Sequence, residues 1–109
     1  MPNQPAPRPT PSWAADFPKL REATDNWLFG GIWERSGLSK RDRSLITVAM
    51  LTALYRHEQL SGHVGRALDN GVTKEELVEV IAHATFYSGW PTGVQGAVIA
   101  KKVFESRGL

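Results

Sequence analysis

The 109-residue chain is 41% hydrophobic and carries 13 basic against 11 acidic residues, for a formal net charge of +2. That length supplies one hydrophobic core and no second ordinary domain. Without any cysteine, it excludes disulfides, thiolate metal sites and every thiol nucleophile or redox relay.

Residues 1–12 hold five of the seven prolines and few apolar side chains, which predicts a flexible arm ahead of one helical domain over 13–109. The arm has no basic start followed by an apolar run, and no later stretch reaches the roughly 18 apolar residues of a membrane span, so the expectation is a soluble, cytoplasmic protein. Asp16 is placed to cap a first helix, with Pro18 in its first turn and Phe17, Leu20, Thr24, Trp27 and Leu28 at helical spacing. Gly30 and Gly31 end it, and Ile32 to Arg35 form a short turn that carries Trp33.

Ser39 and Asp42 are spaced like a capping box for a second helix. From Leu45 to Leu54 eight of ten residues are apolar and the others are threonines, so this helix is apolar around its whole circumference and needs cover on every side. A neighbouring subunit is the expected source of part of that cover. A third helix starts near His57 or Glu58, buries Leu60, Val64, Ala67 and Leu68, and stops at Asn70 and Gly71. Thr73 and Glu76 make a capping box for a fourth, whose buried stripe is Leu77, Val80, Ile81 and Ala84 and which ends near Ser88 and Gly89. Pro91 opens the last helix, with Val94, Ala97, Val98, the Lys101 stem and Phe104 in a helical pattern, and with Gly93 and Gly96 predicting close helix approach. No strand-like alternation, repeat or low-complexity tract is visible outside the arm, and the predicted class is all-α.

With no glycine-rich phosphate loop and no HExxH pair, chemistry rests on His57, His63, His83, a few carboxylates and Tyr87. His63 lies one turn from Leu60 and Ala67 at the border of the apolar face. An imidazole there either looks into a pocket or closes a packed seam with a satisfied hydrogen bond. Glu79, His83 and Tyr87 recur at steps of four and line one side of the fourth helix, as converging polar groups or as a solvated face. Glu58 suits the first turn of a helix whatever its role. The histidines show no recognised ligand spacing, so no metal is expected. Trp90 and Pro91 either wall a pocket or plug a helix junction. The Lys40, Arg41 and Arg43 cluster fits a solvated face better than a nucleic-acid footprint, because tracking phosphates takes a broader basic surface.

The runs GLSKRDRSLITVAMLTAL and EQLSGHVGRALDNGVTKEELVEVIAHATFYSGWP lie in that order within Gly37 to Phe104. This segment resembles the carboxymuconolactone decarboxylase family, the all-helical group that also contains the AhpD-type alkylhydroperoxidase reductases. The resemblance implies a homo-oligomer, often a trimer or hexamer, with pockets walled by the helices around EQLSGH and HATFYSGWP. In the reductase branch a CxxC pair precedes a histidine. If His63 matches that histidine, the cysteine positions hold Arg56 and Gln59, so the chain resembles the cysteine-free decarboxylase branch and not a thiol peroxidase. It departs from that branch at Pro91-Thr92-Gly93-Val94, where true decarboxylases tend to read PAAN; this touches the pocket wall and puts the substrate's identity in question.

The resemblance implies a cofactor-independent lyase, because electrons released when a γ-carboxy lactone loses carbon dioxide flow into its conjugated carbonyl. His63 is then the expected proton donor, Glu58 its orienting partner, and His83 and Tyr87 donors to the lactone oxygen. Arg43 or Arg66 is the expected anion contact, with Trp90 and Pro91 at the substrate. A silent small-acid binding or scaffold homologue and a tautomerase-type proton-transfer enzyme are the alternatives.

Overall fold

A computed structural model describes residues 8–109 and shows only helices and turns among them. The order is α1 (Pro18–Ala23), a π-helical turn (Thr24–Phe29), a 3-10 turn (Ile32–Glu34), α2 (Lys40–Ala53), α3 (His57–Asp69), α4 (Lys74–Ser88) and α5 (Trp90–Ser106). The all-α expectation therefore holds. Two compact units divide between Lys40 and Arg41. The predicted arm over 1–12 lies for its first seven positions outside the described residues.

In the first unit the helix starts one residue later than Asp16 would set it: Phe17 is the N-cap and no side chain caps the helix. The Trp13 carbonyl accepts from the amides of both Asp16 and Phe17. Asp16 is thereby held in a turn, and Pro18 opens the helix with its preset φ. Nor does the α-helix run to Leu28. From Thr24 it widens, and Gly30 donates to the carbonyl of Asp25, five residues back, at 2.8 Å. Asp25 is gripped by Arg8 and, at 2.6 Å, by Arg21, and the two guanidinium groups hold its carboxyl below the ordinary carboxylate range. Arg8 also lies 4.1 Å over the Phe29 ring, which stacks on Trp33 at 5.8 Å. Trp33 is the buried residue of these turns, while Phe17, Leu20, Trp27 and Leu28 stay exposed.

The second unit holds the core. Val48 of α2, Leu60, Val64 and Ala67 of α3, Val72 of the α3–α4 turn, Leu77 and Ile81 of α4, and Ala100 and Phe104 of α5 form one buried cluster. Local signals set the ends of these helices. Thr73 accepts from the Glu76 amide at 3.1 Å while the Glu76 carboxylate accepts from the Thr73 amide at 3.0 Å, the reciprocal box predicted from sequence. Gly89, at φ 110°, breaks α4 from α5 with a backbone conformation that side chains resist.

The α4 and α5 helices run antiparallel from that break and approach closely. A Cβ on Gly93 would fall 2.6 Å from the Cβ of Thr85, and one on Gly96 would meet Thr52 at 2.9 Å. This is the close approach the two glycines predict. Burial in α5 also departs from the apolar pattern read in the sequence, which it shares only at Phe104. Gly93, Gly96, Ala100 and Phe104 face inward, whereas Val94 and Val98 are 49% and 44% exposed, because the narrowest residues permit the tightest packing. Asp69 ties α3 to the end of α5 by accepting from Arg107 at 2.6 and 3.3 Å.

The inward side of α2 is unusual, since Ser44 and Thr52 flank Val48 and all three are buried. Their hydroxyls are satisfied: Asn70 donates to Ser44 at 3.0 Å and Thr52 donates to the Val48 carbonyl at 2.8 Å. The large apolar side chains Ile46, Met50 and Leu54 are left on the outside, 48%, 57% and 57% exposed. The surplus of apolar surface inferred from the sequence is real in the single chain.

Candidate active site

The steps of four on α4 bring Glu79, His83 and Tyr87 onto one groove of about 750 Å³, whose opposite wall is Leu45, Ile46, Ala49 and Met50 of α2. His83 and Tyr87 lie ring against ring, centroids 4.9 Å apart and planes inclined by 33°. Both are exposed, Tyr87 to 83%. Apart from these three groups and Ser88, the walls are apolar. Ser88 itself is engaged, with its hydroxyl 2.8 Å from both the Ala84 carbonyl and the Thr92 hydroxyl. The arrangement offers an imidazole and a phenol side by side next to a surface that repels water, which suits hydrogen-bond donation to an oxygen that gains charge.

His63 lies on α3, half-buried, and lines neither this groove nor the one between α4 and α5. Burial first, and then the Arg66 guanidinium, push its imidazole down from 6.5 to about 4. At neutral pH it is therefore an uncharged ring. Glu58 is exposed on the first turn of α3 and is not among the charges that act on His63. Five residues along a helix rotate by roughly 140° beyond one full turn, so the two side chains leave α3 in different directions. Arg43 and Arg66 are half-buried on α2 and α3.

Trp90 and Pro91 open α5 and are both exposed. Trp90 does not share the His83 groove. It meets Phe86 edge to face at 5.2 Å and lines the groove on the other side of α4. Within one chain, then, the sequence-predicted residues fall into three places: His83 with Tyr87, His63 with Arg66, and Trp90 across α4.

Two features had no sequence signal. Tyr55, between α2 and α3, holds φ at 63°, a conformation that costs a side-chain-bearing residue about 1–2 kcal/mol. Its ring sits 4.0 Å from that of His57, whose Nε2 is buried and takes no hydrogen bond from the protein. The other is the pairing of Lys74 with Lys101 along the second groove, which no local spacing discloses because the two lie on different helices.

The model of the carboxymuconolactone decarboxylase family matches residues 18–102, beginning well before Gly37 and so taking in α1 and the π-helical turn. A 4-carboxymuconolactone decarboxylase of Acinetobacter baylyi is 41% identical over 83 residues, covering 76% of this chain and 62% of its own. A nitrosuccinic acid decarboxylase of Metarhizium robertsii is 32% identical over 82 residues, covering 75% and 57%. An uncharacterised 15.0 kDa protein of Paracoccus denitrificans is 32% identical over 78 residues, covering 70% and 58%. The chain thus spans about three-fifths of the length of the curated relatives it matches. With the family model spanning nearly all of the helical segment and an all-helical fold beneath it, the chain belongs to the carboxymuconolactone decarboxylase family.

Proposed function

We propose that the chain is a cofactor-independent carboxy-lyase acting on a small carboxylated lactone or related keto acid. The observation that carries this reading is the adjacent, mutually tilted His83–Tyr87 pair on a largely apolar groove. The names of two relatives support it: each decarboxylates a small acid that also bears an electron-accepting group, a lactone in one and a nitro group in the other.

In such a substrate the bond from carbon to carboxylate breaks and carbon dioxide leaves. The bonding electron pair enters the conjugated carbonyl, and the dienolate formed takes one proton at carbon. His83 and Tyr87 donate hydrogen bonds to the oxygen as its charge grows. Arg43 or Arg66 holds the substrate carboxylates, and His63 delivers the proton. An imidazole held at about 4 has no imidazolium proton to give at neutral pH. A dianionic substrate drawn to Arg66 offsets one of the two influences that depress His63 and so moves it back towards the charged form. Glu58, on the turn before His63, completes the proposed set, and Trp90 with Pro91, at the α4–α5 corner across α4 from His83, stands outside it.

A second copy of the chain completes the site in this reading, as part of a trimer or hexamer. The support is the outward row of Ile46, Met50 and Leu54, of which the first two wall the His83 groove. A cytoplasmic location belongs to the same reading; no helix among the described residues is long and apolar enough to cross a membrane.

Carbon dioxide release over a panel of carboxylated lactones, keto acids and nitro acids tests the proposal. Turnover by the wild type should fall about 10²-fold or more in His63→Ala, and by a similar factor in His83→Asn or Tyr87→Phe. Equal release by wild type and all three variants removes the assigned roles. Solvent proton exchange without carbon dioxide release marks a tautomerase, and saturable binding with neither marks a silent small-acid binder.

A further inference from the structure

We propose that the groove between α4 and α5 binds a long-chain carboxylate, a ligand separate from the small acid assigned above and independent of that assignment. The groove encloses about 500 Å³. Because α4 and α5 run antiparallel from Gly89, the two lysines that line it, Lys74 near the start of α4 and Lys101 near the end of α5, share one end. Phe86 and Trp90 share the other, at the hairpin corner, edge to face at 5.2 Å. Between the ends the walls are Val78, Ala82, Val94 and Ala97, and the close contact of Thr85 with Gly93 forms the floor.

Charge fixes the class of occupant. Lys74 and Lys101 are the ionisable residues lining this groove, and no carboxylate stands among them. The Lys74 ammonium is held 5.6 Å over the Phe104 ring at that end, its stem covering apolar surface while its charge stays available. The walls of the His83 groove within one chain differ, carrying Glu79 and no lysine or arginine, so the anion contact proposed there, Arg43 or Arg66, stands outside those walls.

Length fixes the rest. From Lys74 to Phe86 the helix rises about 18 Å, far longer than a carboxylated lactone. A carboxylate held by the lysines with a chain of roughly ten to twelve carbons reaches the aromatic corner and takes its methylenes out of water along the way. Val78 and Val94, each 49% exposed, and Trp90, 59% exposed, are the apolar surface such a chain would cover.

Calorimetric titration of the full chain with dodecanoate, dodecanol and dodecyltrimethylammonium below their micellar ranges tests this. Dodecanoate should bind saturably at one site per chain and most tightly of the three. The double variant Lys74→Glu, Lys101→Glu should weaken dodecanoate at least about tenfold and favour the cation instead. Ala97→Trp should block binding by filling the groove, with circular dichroism confirming that each variant is helical. Three outcomes overturn the proposal: no saturable dodecanoate binding, equal binding of all three amphiphiles, or conversion of an oligomer to a monomer by Ala97→Trp, which would make a second copy the occupant.

Discussion

Lowering the pH should destabilise the chain through His63, and the size of the effect follows from its surroundings. Burial and Arg66 hold the folded-state value at about 4 against 6.5 for the free imidazole. Between these values the unfolded chain binds the proton that the folded chain refuses. The contribution is therefore fully present above pH 6.5 and lost as the pH falls towards 4. Carried from pH 7.5 to pH 5, it amounts to about 2 kcal/mol, with about 3 kcal/mol as the ceiling below pH 4. Urea unfolding of wild type and His63→Gln at both pH values isolates it, because the other titrating groups are common to the two proteins. Stability of the wild type should drop by about 2 kcal/mol more than that of the variant across this range. Equal drops, or an imidazole proton resonance titrating near 6.5, would refute the burial argument and with it the need for substrate to recharge His63.

Three further perturbations probe the frame around the sites. Gly93→Ala places a methyl group against Thr85 where α4 meets α5 and should cost about 1–3 kcal/mol in urea unfolding, whereas Gly62→Ala, in mid-α3 with a Cβ that meets nothing within 4 Å, should stabilise by about 0.5–1 kcal/mol. Thr73→Ala removes the acceptor of the α4 capping box and should cost about 1 kcal/mol, seen as a lower midpoint with an unchanged denaturant slope. Met50→Glu puts a charge on the outward apolar row of α2; it should leave the helical content intact and shift the mass measured by light scattering towards the single chain, and an unchanged oligomer would place the contact between copies elsewhere.

Features governed by nearest neighbours in the chain were legible from sequence. The Thr73–Glu76 box closes within four residues, Asn70 and Gly71 stop α3 by backbone preference, and the four-residue steps put His83 and Tyr87 on one side of α4 whatever surrounds it. Features that depend on what lies opposite were not. The apolar pattern of α5 pointed to Val94 and Val98 as buried, yet burial went to Gly93 and Gly96, because the approach of Thr85 and Thr52 leaves no room for a larger residue. Asp16 has the right chemistry for a cap and lost its place to a turn closed by the Trp13 carbonyl. The split between His63 and the His83–Tyr87 pair follows from the packing of α3 and α4, and no spacing within either helix carries it.

How α4 reconciles two grooves with one buried stripe is a matter of angle. At roughly 100° of rotation per residue, Leu77, Ile81 and Ala84 cluster within about 60° of one another and form the inward edge. Setting Leu77 at zero and counting on from there, Ile81, Thr85, Val78, Ala82 and Phe86 sweep through roughly 180° and line the lysine-ended groove. Continuing round the same way, Glu79, His83, Tyr87, Val80 and Ala84 occupy the remaining arc and line the other. The two sets meet on the outside where Phe86 and Glu79 stand side by side, roughly 20° apart. Glu79, His83 and Tyr87, all exposed, keep a polar arc on the side of the second groove. The consequence of this division is local independence: changes at Val78, Ala82 or Phe86 should alter one ligand without touching the other, while changes at Leu77, which lines neither groove and packs in the core, should disturb both together.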